Sequence, residues 1–329
     1  MATSGTYTFT VTQSDIIRES MLNMGKLGAS DPIGPQEYLD MQRKLNLMVK
    51  QWMGRTDFAP GLKMWTRSRG DLFLSSSKFS YQLGQTGDNY AGGVTAVPGQ
   101  NYATSTLAVA NAGGSAVLNV GATNAAQFTV GDYVVVQLNS GDIFSSTVLS
   151  IASPSVTLTT NVPSAANSGN YVWNYTVKQV RPLEIQTAVL RDSNQNDTPL
   201  NFMTLQTYEN LPNKVATGVL SDPTSIYYEQ VLTNGVLYID VAGASDVTKN
   251  IHIVGLRPIQ DFVNTTDNPD YPAEWFDALC WGLTKRGAPM FNAPWTQEMQ
   301  DNHDVAIRTA REAYPETTEL FFQCNAGDP

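Results

Sequence analysis

The chain has 329 residues, 42% of them hydrophobic, and 20 basic against 30 acidic side chains, which gives a formal net charge of −10. That length favours two domains over one. The acidic balance argues against a protein that holds nucleic acid by neutralising phosphates in bulk, and two cysteines do not indicate a disulfide framework.

The termini and hydropathy bear on cellular location. The opening segment, Met1 to Thr12, has no basic stretch followed by an apolar one, so we predict no signal peptide. No apolar run approaches the roughly 18 residues that a membrane helix needs. We therefore expect a soluble protein made in a cytoplasm.

A segment without basic residues interrupts the chain. No Lys, Arg or His lies between Lys78 and Lys178, and only three acids do, namely Asp88, Asp132 and Asp142. An average stretch of about 100 residues carries roughly 25 charged side chains. The composition is ordinary on both sides, so we predict a charged, α-containing body interrupted by an uncharged β insert.

Two helices are predicted near the N-terminus. Ser14 and Asp15 offer an N-cap for a helix from Ile16 to Leu27. Pro35 suits the first turn of a second helix, which Gly54 ends. The apolar residues of the second helix recur at helical spacing, namely Tyr38, Met41, Leu45, Met48 and Trp52. The pair predicts an αα-hairpin.

The middle of the chain has the alternation that is typical of strands. Short strands are predicted from Leu62 to Leu83, and six more in the insert, residues 85–176. The six are Thr104 to Ala110, Ala116 to Val120, Tyr133 to Leu138, Ile143 to Ser150, Ser155 to Thr159 and Tyr171 to Tyr175. The turn from Asn139 to Asp142 predicts a hairpin. We expect a small all-β barrel or sandwich.

After Val177 the chain is charged again and contains both strands and helices. Its predicted strands are Pro182 to Val189, Ile226 to Leu232, Val236 to Val241 and Asn250 to Leu256, with a short helix from Asn201 to Asn210 among them. Pro272 opens a third long helix, and a fourth is predicted from Trp295 to Tyr314. Cys280 lies in the apolar pattern of the third helix, so we expect a buried free thiol.

The order α, α, β, insert, β, α, α predicts an α+β fold. Two helices from each end would form a helical hub, with a central β region and an inserted small all-β barrel or sandwich domain. We divide the chain into residues 1–84, the N-terminal helical hairpin and first strands of the body; 85–176, the insert; and 177–329, the remaining β region, C-terminal helices and tail.

The motifs of catalysis are absent from the sequence. There is no phosphate loop, no dinucleotide-binding glycine motif and no nucleophile elbow. His252 and His303 lie far apart in the sequence and have no neighbour at metal-ligand spacing, so each is expected to be a structural or surface residue. Glu274 and Asp277 share a helix face, but acids after Pro272 are favoured there by the helix dipole. We predict no enzymatic activity, no cofactor and no metal.

Two groups of residues are candidates for binding. Arg67, Arg69 and Lys78 lie in the first β segment, where a strip facing DNA or the polar face of a hairpin accounts for them. Most tryptophans fall in helical apolar patterns, whereas Trp173 belongs to the insert and is a candidate glycan platform.

Several segments resemble a known family. The run from Asp15 to Gly25, followed by Leu45 to Trp52, resembles the opening helices of the head-to-tail adaptor proteins of short-tailed bacteriophages. The run from Tyr271 to Leu279 fits as well, as does the later helix with Ala306, Ala310 and Tyr314. The middle segment resembles larger members through Arg181 to Ile185, Tyr208 and Leu256 to Pro258. The resemblance covers about 1–84 and 177–329, and Phe128 to Val134 of the insert resembles small β modules of phage structural proteins.

The resemblance implies a structural virion protein at the head–tail interface, synthesised in the host cytoplasm. It implies a dodecameric ring whose helical part docks on the portal and whose β part receives the tail nozzle. The implied partners are other copies of the chain, the portal protein and a tail nozzle, hub or fibre protein, with non-specific proximity to DNA in the channel and no membrane. By analogy with relatives whose C-terminal tail reaches along the portal, Phe321 and Phe322 are candidate anchors.

Other functions stay open. A tail nozzle or tubular protein belongs to the same structural class. A host-glycan-binding or peptidoglycan-hydrolysing tail protein, using the insert and Trp173, belongs to another. A ring requires a heterologous interface that closes on itself, and the uncharged Ser, Thr, Ala and Val surface of the insert suits such packing because charged residues are depleted at interface cores.

Overall fold

The computed structural model describes residues 9–54, 66–93, 100–212 and 220–312. Within these ranges the chain is a mixed α and β protein, as predicted. The helices are α1 (Gln13–Asn23), α2 (Pro35–Gly54), α3 (Ala122–Ala125), α4 (Leu205–Glu209), α5 (Phe276–Gly287) and α6 (Gln297–Glu312). The strands are β1 (Arg67–Phe73), β2 (Ser80–Leu83), β3 (Tyr90–Gly92), β4 (Ala103–Thr106), β5 (Val117–Asn119), β6 (Tyr133–Gln137), β7 (Ile143–Ala152), β8 (Ser155–Leu158), β9 (Tyr171–Tyr175), β10 (Val177–Lys178), β11 (Glu184–Arg191), β12 (Asp197–Pro199), β13 (Asn201–Phe202), β14 (Ser225–Glu229), β15 (Gly235–Ile239) and β16 (Asn250–Leu256).

The chain forms two compact units. The helical unit takes the residues up to Thr66 and those from Ile259 onward, and the β unit is Arg67–Pro258. The helical unit therefore draws its helices from both ends of the chain. The predicted division into body and insert differs from this arrangement, because the insert and the neighbouring strands of the body belong to one unit.

Helix α5 is central in the helical unit and packs against α1, α2 and α6. The shared core is apolar and includes Ile17, Met21, Met41, Leu45, Met48, Trp52, Trp275, Leu279, Leu283, Ile307 and Ala310. Two hydroxyl groups lie at the contact of α1 with α5 and share their protons between the helices. The Ser20 hydroxyl has the carbonyls of Ile16 at 2.7 Å and Cys280 at 3.0 Å as acceptors, and that of Thr284 has the carbonyls of Cys280 at 2.7 Å and Ser20 at 3.4 Å. Cys280 is a buried free thiol, as predicted.

The starts of α1 and α5 differ from the predicted ones. Thr12, and not Ser14 or Asp15, is the N-cap of α1, and Asp15 completes a capping box by accepting a hydrogen bond from the Thr12 amide at 2.9 Å. Pro272 precedes a turn of 3₁₀ helix, Ala273–Trp275, so α5 begins only at Phe276. The predicted bounds of α2, Pro35 and Gly54, are confirmed.

The described strands of the β unit form three sheets. The first has the order β10-β3-β1-β16-β11-β12 and is antiparallel throughout. The second has the order β13-β14-β15-β2, in which only β13 and β14 run parallel. The third is the sheet of the insert, β4-β9-β6-β7-β8-β5.

All six predicted strands of the insert are present, within a few residues of their predicted bounds. Every pairing in the insert sheet is antiparallel, and β6 and β7 form the hairpin predicted around Asn139 to Asp142. Its core consists of small and branched side chains, including Leu118, Val134, Val136, Val148, Val156, Leu158, Val162 and Val172. Because β-branched residues are enriched in strands, the strands of the insert could be predicted from the sequence.

Candidate functional site

An aromatic cluster joins the insert sheet to the first sheet inside the β unit. Phe73, the last residue of β1, packs against Tyr102, Trp173 and Tyr175 of the insert with ring centroids 5.1, 5.3 and 6.0 Å apart. Ala91 and Val135 complete this cluster, which we call the aromatic joint. Aromatic pairs in such arrangements contribute about 1 kcal/mol beyond the burial of their area.

The aromatic joint corrects the prediction for Trp173. Its side chain is only 3% exposed, and its ring stacks on Tyr171 at 5.6 Å and packs on Phe73. The prediction that Trp173 is an exposed glycan platform is therefore wrong. The sequence placed Trp173 correctly on a strand but could not show that another strand, β1, covers the ring.

A buried polar group lies beside the aromatic joint. Asp71 on β1 is fully buried and faces His252 on β16 as a directly paired residue. The Nδ1 atom of His252 hydrogen-bonds Oδ1 of Asp71 at 2.7 Å. The other carboxyl oxygen accepts from the backbone amide of Asn101 at 3.0 Å and from its side-chain amide at 2.9 Å. Each oxygen of the buried carboxyl group thus has a partner, as burial requires.

The Asp71 contact links three segments that are distant in the sequence. Asn101 precedes β4 of the insert, whereas Asp71 and His252 belong to the first sheet. A second hydrogen bond also joins the first sheet to the insert: the side-chain amide of Asn250 donates to the phenolic oxygen of Tyr102 at 2.6 Å. Removal of one partner from such a network leaves a buried polar group unsatisfied, which makes the network a strong fixing point.

A buried carboxyl group that orients a histidine ring through a hydrogen bond with its Nδ1 atom is also a feature of catalytic triads. Among the described residues, however, no hydroxyl or thiol hydrogen-bonds the second ring nitrogen of His252. The arrangement seen for Asp71 and His252 pairs two strands and anchors Asn101. We therefore assign it a positioning role within the β unit.

The β6–β7 hairpin of the insert makes a third attachment. Asp142 accepts hydrogen bonds from the hydroxyl groups of Ser75 at 2.6 Å and Ser77 at 2.8 Å, and from the amide of Ile143 at 2.8 Å. Burial alone would raise the pKa of Asp142, but these hydrogen bonds and one from the Ser76 backbone outweigh it, so the pKa lies below its ordinary value. The ionised form of Asp142 therefore stabilises this attachment.

A cavity of about 210 Å³ opens next to Asp142. Ser75, Ser77, Lys78 and Asp88 contribute to its lining. Lys78 and Asp88 form a salt bridge at 2.5 Å across it. Its polar groups are thus engaged with one another, which identifies it as a gap at the attachment of the insert.

The three predicted basic residues do not form one uniform strip. Arg67 and Arg69 are exposed and lie two residues apart on the same face of β1, and Arg67 donates to the side chain of Gln186 at 3.0 Å. Lys78 lies in the turn after β1, where Asp88 neutralises it. Their orientation towards a channel stays a prediction.

Other predicted features have mixed outcomes. Phe321 and Phe322 lie outside the described residues. Within the described ranges, no group of three or more His, Cys, Asp or Glu side chains is placed to hold a metal ion. None of the described helices is both long and apolar enough to cross a membrane.

The helical unit has exposed apolar side chains on helices from both ends of the sequence. Leu39 and Leu47 on α2 are 53% and 58% exposed, and Val305 on α6 is 49% exposed. Helix α2 also has a polar row one turn apart, Gln42, Asn46 and Lys50, which donates to the carbonyls of Val263, Phe262 and Ile259 respectively. This row fixes the segment that leads to α5.

No protein-family model matches the chain, and no curated protein matches it.

The residues that attach the insert were not predicted from the sequence. The available signal for Asp71 was an acid directly before the apolar run from Leu72 to Leu74, where a strand would bury it. Its partners Asn101 and His252 carry no local signal, since the register of β1 against β16 decides which residues meet.

Proposed function

We propose that this chain is a non-enzymatic structural protein of a bacteriophage virion, a head-to-tail adaptor that forms a ring between portal and tail. In this role the helical unit docks on the portal, and the β unit continues the DNA channel towards the tail. The ring would seal the head and support assembly of the tail.

One observation carries the proposal: helices near both ends of the sequence belong to the same helical unit. Helices α1 and α2 from the N-terminal end share an apolar core with α5 and α6 from the C-terminal end. All the strands among the described residues lie in the intervening part. The resemblance to adaptor proteins implies a helical part that docks on the portal and a β part that receives the tail nozzle, and the two units of this chain supply one of each.

The way in which the insert handles its charges also supports a structural role. Each of its three acids has a partner within the chain: Asp88 pairs with Lys78, Asp142 with Ser75 and Ser77, and Asp132, only 4% exposed, accepts from the amide of Thr129 at 2.8 Å. The surface of the insert is thereby left to uncharged side chains. Such a surface suits packing against neighbouring copies and does not grip phosphates.

Localisation in the virion is the decisive test. A cryo-EM reconstruction of virions should place this chain in a layer of twelve copies between portal and tail, with the helical unit on the portal side. Purified chain should also bind purified portal protein and form that layer on it.

Other results would overturn the proposal. Self-assembly of the purified chain into stacked tubes would identify a nozzle or tubular protein. Density for the chain at a fibre tip would identify a host-recognition protein. Degradation of host peptidoglycan by the purified chain, absent from a buffer control, would identify a hydrolase.

A further inference from the structure

We propose that the outer faces of α2 and α6 are the two halves of a heterologous contact between adjacent copies of this chain. The inference rests on the proposed function, because it names the surfaces that would close the ring. Its evidence lies in the exposed residues of two helices of the helical unit.

One face of helix α2 belongs neither to the core of the helical unit nor to the polar row of this helix. Its buried residues and its row of Gln42, Asn46 and Lys50 occupy two sides of the helix. On the remaining side lie Leu39, Arg43 and Leu47, spaced one helical turn apart. Leu39 and Leu47 are more than half exposed, and the Arg43 side chain is 74% exposed, with only a loose contact of 3.9 Å to Asp40.

Helix α6 has a face of opposite charge. Its buried residues Ala306, Ile307 and Ala310 define one side. The opposite side carries the acids Glu298, Asp301, Asp304 and Glu312, the exposed Val305 and the bases Arg308 and Arg311. Acids therefore outnumber bases two to one on that side, and a single large apolar residue lies among them.

The two faces match in spacing as well as in charge. Asp301 and Val305 are one helical turn apart, and so are Arg43 and each of its flanking leucines, Leu39 and Leu47. If Arg43 meets Asp301, Val305 meets Leu47 when the helices run parallel and Leu39 when they run antiparallel. Parallel and antiparallel helices therefore both combine an ion pair with an apolar contact one turn away.

The contact must form between chains. Helix α5 packs against both α2 and α6 in the helical unit, and the outer faces of those two helices point away from the core that they share with it. One copy can therefore offer α2 to one neighbour and α6 to the other. A heterologous interface of this kind generates a ring when its rotation closes.

A charge-swap experiment on the full chain tests this contact. Self-association should be measured by small-angle X-ray scattering at low salt, over a concentration series up to roughly 1 mM, where weak contacts become populated. Arg43→Asp and Asp301→Arg should each weaken association by about tenfold, because each places like charges opposite one another. The double variant, which restores an ion pair between copies, should recover to within about threefold of the original chain.

A control and the contrary outcomes complete the design. Glu184→Lys reverses an exposed charge in the β unit and should leave association unchanged. The contact is wrong if the chain stays monomeric throughout the series, if both single reversals leave association unchanged, or if the double variant is no better than the single ones. These results are separate from those for the proposed function, because the position of the chain in the virion is read from the reconstruction and not from self-association.

Discussion

The two units hold themselves together by different means. The helical unit buries long apolar side chains from four helices, and its buried ionisable residues among those described are Tyr271 and Cys280. The β unit buries Asp71, Asp132 and His252 together with several amide side chains. The difference follows from side-chain size: helices with Met, Leu and Trp bury enough area to pack on their own, whereas the small residues of the insert need aromatic and polar attachments.

The contrast also indicates where each unit is vulnerable. Loss of apolar volume should damage the helical unit most, and loss of a buried hydrogen-bond partner should damage the β unit most. Trp173 is the only tryptophan between Arg67 and Pro258, whereas Trp52 and Trp275 belong to the helical core. Fluorotryptophan NMR can therefore follow the two units separately.

The largest effect is expected from Trp275→Ala. Trp275 is fully buried, with its ring 6.0 Å from that of Trp52 and 6.1 Å from that of Tyr271. We expect a loss of about 4 kcal/mol in the free energy of unfolding, measured by denaturant titration. The fluorotryptophan signal of Trp52 should shift and that of Trp173 should not. The matched control is Trp295→Ala, which removes a half-buried ring; an equal loss there would contradict the packing argument.

A somewhat smaller effect is expected from Asp71→Ala. It leaves His252 and Asn101 without their buried acceptor, and we expect a loss of about 3 kcal/mol. The Trp173 signal should report the change, since Asn101 leads into the strand that pairs with β9. Asp71→Asn, which retains an acceptor, should cost less. If both variants are equally stable, the polar contact does not fix the insert.

The helical unit should also be sensitive to added volume at Gly282. A Cβ atom there would lie 2.8 Å from Sδ of Met48 and 2.8 Å from a ring carbon of Trp52. We expect Gly282→Ala to destabilise the protein by about 2 kcal/mol, because α5 and α2 would have to separate. Gly54→Ala is the control, since among the described residues no atom beyond its own helix backbone and chain neighbours lies within 4 Å of the added Cβ. The denaturant midpoints of the two variants should differ clearly, and equal midpoints would contradict the close approach of the helices.

The smallest effect is expected from Asp142, and it depends on pH. Because the folded-state pKa of Asp142 is lowered, its ionised form contributes stability above the ordinary pKa of an aspartate, and this contribution is lost as the pH falls through the folded value. Asp142→Asn should cost about 1 kcal/mol at neutral pH. The difference between the variant and the original chain should shrink in acid. A difference that stays constant from neutral to strongly acidic solution would show that ionisation of Asp142 is irrelevant to the attachment.

Local patterns predicted most of the secondary structure. The helix from Pro35 to Gly54 could be predicted because a first-turn proline, a helical apolar period and a terminal glycine all indicate the same bounds. The predicted strand from Asn250 to Leu256 has the bounds of β16. The N-cap of α1 was misplaced, because Thr12, Ser14 and Asp15 all have suitable side chains and only the backbone conformation distinguishes them.

The candidate site was far less predictable. Trp173 has the alternation of a half-exposed strand, yet Phe73 from a distant strand covers it. His252 has no local partner, yet the pairing of β1 with β16 places it opposite Asp71. Such contacts depend on sheet register, and a shift of one residue would turn each of these side chains to the other face.

The helical and strand periods, the uncharged character of the insert and the acidic balance of the chain can be read from the amino-acid order alone, because these properties depend on composition and on neighbours a few residues apart. Long-range packing is what places helices from both ends in one core, fixes the insert through the aromatic joint and Asp71, and leaves particular sides of α2 and α6 exposed. Those features depend on which distant surfaces exclude water together, and no local pattern records that choice.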